Sequence, residues 1–203
     1  MTKQLAILAL ALGSGSAALA DITKPPDIGL WWHPVGANGS YVYADSFIAD
    51  EDCTISDLGT WLDDQGSGGS SVRFEVWGDN GGPDPFNVIS STGSVSPQVG
   101  AGLAYNQYSA SAGNLVNGTK YWFAITGVGE AGPGGWYTGG HTQNSVYNDN
   151  GTFWFSNDPS GISFDGQNLT PEVAFSVICR VPAPGSAALL GLGGLVAARR
   201  RRA

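Results

Sequence analysis

Between residues 72 and 77 the chain reads Val-Arg-Phe-Glu-Val-Trp, and strict alternation returns in Tyr-Trp-Phe-Ala-Ile at 121–125 and Val-Ala-Phe-Ser-Val at 173–177. A period of two sends successive side chains to opposite faces of an extended strand, so each stretch has one apolar face to bury. Shorter candidates lie at 41–44, 55–62, 88–92, 105–109 and 151–155, and Trp31-Trp32 marks one more near the start. Turn formers separate them: Asp79-Asn80-Gly81-Gly82-Pro83, Asn117-Gly118, Gly132-Pro133-Gly134-Gly135 and Asn150-Gly151. No stretch of helical length carries a sustained i, i+3, i+4 apolar stripe. About eight short strands with Gly/Asn-rich connections predict an all-β fold, an antiparallel β-sandwich of jelly-roll type.

Charge narrows the function classes. Between Asp21 and Arg180 only Lys24, Arg73, Lys120 and Arg180 are basic, against all 17 acidic residues, a net charge of −13. Nucleic-acid affinity is built on clustered Lys and Arg, so no nucleic-acid partner is expected. Few charges overall, with abundant Gly, Asn, Ser, Thr and aromatic residues, fit a secreted β-rich protein.

Both ends carry targeting patterns. Residues 1–20 combine a cation at Lys3, an apolar run at 5–12 and the small-x-small triplet Ala18-Leu19-Ala20, which predicts a signal peptide cleaved to leave Asp21 first. Export through the secretion machinery would let Cys53 and Cys179, the two cysteines of the chain, pair; sequence leaves a disulfide and two buried thiols both open. Residues 185–198 contain no charge, a run shorter than the roughly 20 residues that usually span a bilayer. Arg199, Arg200, Arg201 and Arg202 follow it and would hold that end in the cytoplasm. The expected parts are a signal peptide at 1–20, an ectodomain at 21–180 and a short transmembrane tail at 181–203. The competing reading packs the apolar run on the domain and leaves the arginines solvated.

The tail, VPAPGSAALLGLGGLVAARRRRA, resembles the PEP-CTERM sorting domains of Gram-negative bacteria. Pro182 and Pro184 match the two prolines of that signal, 185–198 its short run of small and apolar residues, and Arg199 to Arg202 its basic cluster; Ala183 stands where the family usually has glutamate. The resemblance implies recognition by a membrane-embedded cysteine protease of the exosortase type. It also implies a protein at the cell surface or outside the cell, anchored in the membrane only transiently. The succession SSVRFEVWGDNGGPDP, LVNGTKYWFAITG, GGWYTGG and GTFWFSND is similar to β-sandwich ectodomains that carry such tails, and implies fold rather than activity.

No catalytic motif stands out. Neither G-x-S-x-G nor H-E-x-x-H occurs, and the two histidines, His33 beside Pro34 and His141 after a Gly pair, read as loop or surface residues. Paired carboxylates could serve glycoside hydrolysis, but abundant acids single out none. Oxygen-rich stretches at Asp50-Glu51-Asp52, Asp63-Asp64, Asp79-Asn80 with Asp84, and Asn148-Asp149-Asn150-Gly151 suit calcium, yet none has the spaced EF-hand pattern and turn chemistry explains them equally. No cofactor is predicted; a structural calcium stays open.

Aromatic residues are the remaining candidates. Trp77, Trp122 and Trp154 sit on the opposite strand face from the Val/Phe/Ile set, and Trp136 lies in a Gly-rich loop. Indole rings stack on the C–H faces of sugars, and the same rings also fill sandwiches whose outer faces are covered. The expected protein is non-enzymatic and exported, sorted through its tail and associated with extracellular polysaccharide. A carbohydrate-binding module with an aromatic stacking surface is the alternative, and an extracellular hydrolase the third reading.

Overall fold

The computed structural model describes residues 18–26, 30–35, 42–63, 71–98, 102–128, 136–141, 153–158, 160–164, 166–168 and 172–181. Every helix-or-strand element among them is a strand. In chain order these are β1 (Ala18–Lys24), β2 (Leu30–Val35), β3 (Val42–Ile48), β4 (Cys53–Asp63) and β5 (Arg73–Asp79). Next come β6 (Pro83–Ser91), β7 (Ala104–Ser109), β8 (Asn114–Leu115), β9 (Lys120–Thr126) and β10 (Trp136–His141). The last four are β11 (Phe153–Ser156), β12 (Gly166–Asn168), β13 (Glu172–Val173) and β14 (Phe175–Val181).

The strands make two antiparallel sheets. One has six strands in the order β12-β11-β3-β9-β5-β6; the other has eight, with β1-β14-β4-β10-β13 as its main path, β7 and β8 on β4, and β2 on β10. Alternation places Tyr43, Phe47, Phe74, Val76, Phe123 and Ile125 of the first sheet in one buried cluster with Ile55, Leu58, Leu62, Phe175 and Val177 of the second. The sheets therefore face each other across an apolar layer, a sandwich-like arrangement. At its centre the rings of Phe123 and Phe175 stack, 4.8 Å apart with planes 8° from parallel.

The hairpin β5–β6 turns at the Asn-Gly-Gly stretch, where Gly81 has φ +79° and Asn80 N–H donates to the Gly82 carbonyl. Pro83 and Pro85 then fall on β6, at the edge of its sheet, where a missing N–H breaks no ladder. The strand expected at 88–92 thus begins earlier, because the turn closes within five residues and β6 continues beyond the bulges opposite Trp77.

Two features bind β1 and β14 into the sandwich. Cys53, at the start of β4, and Cys179, in β14, form a disulfide with Cα atoms 5.6 Å apart. Lys24 of β1 points inward, wholly buried. Its Nζ donates to the Ser46 carbonyl at 2.8 Å, lies 3.6 Å from the equally buried Asp45 carboxylate, and sits 5.3 Å from the centre of the Phe175 ring. Removing one member of such a buried pair usually costs about 3–5 kcal/mol, since the other charge is left in a dry core.

Candidate functional site

Trp77 and Trp122 are direct cross-strand partners on β5 and β9, on the outer face of the six-stranded sheet. Next to them the outer row is Trp154, Ala44 and Ala124 across β11, β3 and β9, and the two small alanines leave room for indoles to lie over the sheet. Trp122 meets Trp154 edge-on at 6.5 Å, and Phe164 closes edge-on against both Trp77 and Trp154. The turn at 160–164 lies over this face: Gly161 adopts φ +68°, and a Cβ there would come within 2.7 Å of Val128 and 3.1 Å of Val42. Asp158 builds that turn by accepting from Ser160 and Ser163, and these bonds hold its carboxyl below the usual carboxylate range.

Covering the face changes what these residues can do. Trp77 and Trp122 are 2% and 1% exposed. Each indole N–H donates at 2.7 Å to a carboxylate, Trp77 to Glu75 and Trp122 to Asp79. The Lys120 ammonium lies 4.5 Å from the centre of the Trp122 ring. Neither ring offers a face to a sugar, so of the two readings that the sequence left for these rings, stacking platform and core, Trp77 and Trp122 take the core one. Partly buried Trp154 belongs to the same second core. Trp136, expected in a loop, instead begins strand β10 in the other sheet, where pairing with β2 and β4 extends it, so the four tryptophans are not brought together.

Two acids of the oxygen-rich stretches brace backbone N–H groups, while Asp63 and Asp79 lie on strands. Asp52 accepts from Asn117 N–H, and Asp84 from Phe86 N–H. Among the described residues no group of three or more His, Cys, Asp and Glu is placed to hold a metal ion. Asp64 and 148–151 lie outside the described residues. His33 and His141, read as loop or surface residues, fall on strands, β2 (Leu30–Val35) and β10 (Trp136–His141), which pair with each other. The sorting-signal residues Pro182, Ala183, Pro184 and Arg199 to Arg202 also lie outside the described residues. Ala18 and Ala20, the expected cleavage triplet's ends, open β1, and Asp21 follows on the same strand. Among the described residues no helix is long and apolar enough to cross a membrane.

The outer face of the eight-stranded sheet is built differently. Register pairs Trp61 of β4 with Tyr105 of β7, and Gly59 with both Gln107 of β7 and Ser176 of β14. The Trp61 and Tyr105 rings lie 4.6 Å apart at 41°. Tyr105 reaches across β4: a Cβ on Gly59 would fall 2.6 Å from its hydroxyl oxygen and 2.9 Å from two ring carbons. Glycine inside a strand commonly marks such a close approach. One side of the phenol ring therefore rests on the sheet, and Tyr105 remains 42% exposed.

A polar network fixes this ring. Its hydroxyl donates to Gln107 Oε1 at 3.1 Å, and the Ser176 hydroxyl stands close by. Ser176 in turn accepts from Thr23 at 3.0 Å and donates to Asp21 at 3.2 Å. On the other flank Asp57 accepts from Ser56 at 2.7 Å and Ser109 at 3.2 Å. Burial pushes the Tyr105 phenol above its ordinary pKa; the Ser176 hydroxyl opposes this, while the charges of Asp21 and Asp57 add to it. The phenol thus stays protonated through the neutral range.

Sequence reading passed over Gly59, Trp61 and Tyr105, although all three lie in stretches it marked as strands. The signal available was Gly59 and Trp61 alternating with Leu58 and Leu62. What it lacked was the register that sets Tyr105 beside them. Compared with protein-family models and with curated proteins, the chain matches none.

Proposed function

We propose that this chain is an exported, non-enzymatic surface or matrix protein that associates with extracellular polysaccharide through the open face of its eight-stranded sheet. The observation that carries the reading is Tyr105, held over Gly59 with Trp61 beside it and with hydroxyl, amide and carboxylate groups nearby. An aromatic ring seated on a rigid sheet presents a C–H stacking surface, and fixed polar neighbours can bond sugar hydroxyls. Export, a PEP-CTERM-like tail and exosortase-type processing remain part of this proposal, supported by the patterns at 1–20 and 181–203. A jelly-roll path is also part of it, supported by chain-adjacent strands β3 and β4, β9 and β10, and β10 and β11 lying in different sheets.

Co-sedimentation of the exported protein with the producing cell's extracellular polysaccharide tests the binding claim. Saturable binding that falls in a folded Trp61→Ala/Tyr105→Ala variant is the expected result. Equal binding by the variant would remove this face from the account. For sorting, neutral replacement of Arg199 to Arg202 is expected to change membrane retention and the mature C-terminus, read by fractionation and intact mass.

A further inference from the structure

We infer that the Tyr105 face selects polysaccharide chains built of uncharged sugar rings and turns away chains bearing uronate carboxylates; this rests on the polysaccharide reading above and narrows it. The argument begins with what surrounds the platform. Asp21 of β1 accepts from Ser176, the register partner of Gly59, and Asp57 lies two residues before Gly59 on β4, so both carboxylates stand near the seat of the Tyr105 ring. Their hydrogen-bond donors are the hydroxyls of Ser176, Ser56 and Ser109, none of them cationic.

Cations are elsewhere. Lys24 is sealed in the core beside Asp45, Arg73 pairs with Glu75 at 3.3 Å, and Lys120 lies over Trp122 on the other sheet. Arg180 is on β14 opposite Thr54, four residues along from Ser176 and two outward positions away from the platform. These four are all the basic residues between Asp21 and Arg180. Among the described residues, a carboxylate-bearing ring stacked on Tyr105 would meet the Asp57 and Asp21 carboxylates and no Lys or Arg side chain; where cleavage makes Asp21 the first residue, its α-ammonium offsets that one charge and Asp57 carries the rejection. Like charges facing one another across a contact are the usual means of rejecting a wrong partner. A neutral ring meets no such opposition: its hydroxyls can donate to Asp57 and accept from the exposed Gln107 amide, while its C–H face lies on the phenol.

Affinity electrophoresis of the full exported protein, in gels containing either a neutral β-glucan or mannan or a polygalacturonate of similar length, tests this selection. EDTA in the buffer prevents divalent ions from bridging carboxylates. The wild type is expected to be retarded by a neutral chain and not by polygalacturonate. Tyr105→Ala and Gly59→Ala should each weaken neutral-chain binding roughly three- to tenfold, the range for one lost aromatic contact. Gly59→Ala leaves every aromatic in place and acts only by lifting the ring, so it separates platform geometry from composition. Asp21→Asn/Asp57→Asn should newly admit polygalacturonate at low salt, an effect that a purely structural role for these acids would not produce. Stronger retardation by polygalacturonate than by the neutral chains would overturn the selection while sparing polysaccharide binding. Retardation by none of these chains, together with no binding to the cell's own polymer, would overturn both. Neutral-chain binding unchanged in Tyr105→Ala and Gly59→Ala would place the site on another face.

Discussion

Among the described residues the outer faces of the two sheets each carry a cross-strand aromatic pair, one buried and the other partly exposed. On the six-stranded sheet Trp77 and Trp122 lie under the Phe164 turn with their N–H groups bonded to Glu75 and Asp79. On the eight-stranded sheet Trp61 and Tyr105 rest against the strands with a hydroxyl network beside them. An aromatic on the outer face is therefore no site by itself. A covering segment converts it into core, whereas the Tyr105 ring stays 42% exposed.

The contrast is sharpest in stability. Trp122→Ala should destabilise the protein by about 3–5 kcal/mol, because a buried ring leaves a cavity that the sheet cannot close. A urea-unfolding shift of that size would identify this face as core, and a near-zero shift would reopen it as a surface. Loss of the Cys53–Cys179 bridge, which closes a loop spanning 126 residues of sequence, should cost up to about 4–5 kcal/mol. That value is read by comparing Cys53→Ala/Cys179→Ala with the oxidised protein, and it should be equal whichever outer face is altered.

Phe164→Ala uncovers the roof without touching the sheet, and its half-buried ring should be worth about 2 kcal/mol, below a fully buried one. Tryptophan emission is expected to shift to the red as water reaches Trp77; an unchanged spectrum would mean that other residues seal the face. Tyr105→Ala should change stability by less than about 1 kcal/mol, the usual range for a surface side chain, while reducing glycan binding. A large unfolding shift there would make Tyr105 a structural residue.

The smallest effect concerns pH. Asp158 has a lowered pKa in the folded state, so its contribution is fully present above the carboxylate's ordinary pKa and disappears as pH falls through the lowered one. Asp158→Asn should flatten acid unfolding in that window. An identical acid profile would show that the roof turn does not depend on the charge. The phenol of Tyr105 has the opposite sign: its pKa is raised, so any stability linked to it is present below the ordinary tyrosine pKa and lost as pH rises through the higher one.

Much of the architecture was legible in the chain. Alternation at 72–77, 121–125 and 173–177 identified strands because an extended backbone divides its side chains between two faces, whatever it packs against. The Asn-Gly-Gly and Asn-Gly turns were legible because positive φ is easy for glycine, as Gly81 and Gly118 show at +79° and +75°. Strands β1, β8, β10 and β12 were harder, being short or lacking a clean apolar alternation, and their pairing is supplied by neighbours.

The sequence by itself determined that Trp77 and Trp122 lie on the face opposite Phe74 and Phe123, and that residues 21–180 are strongly acidic. Tertiary structure decided which aromatic faces are covered. Phe164 lies some forty residues beyond Trp122 and more than eighty beyond Trp77, and only folding brings it over them. Tyr105 likewise lies on Gly59 through strand register, a long-range property that turns a gap in one strand into the seat for a ring from another. Local preference is written in each strand's own side chains, whereas burial is set by whatever distant segment comes to lie above them.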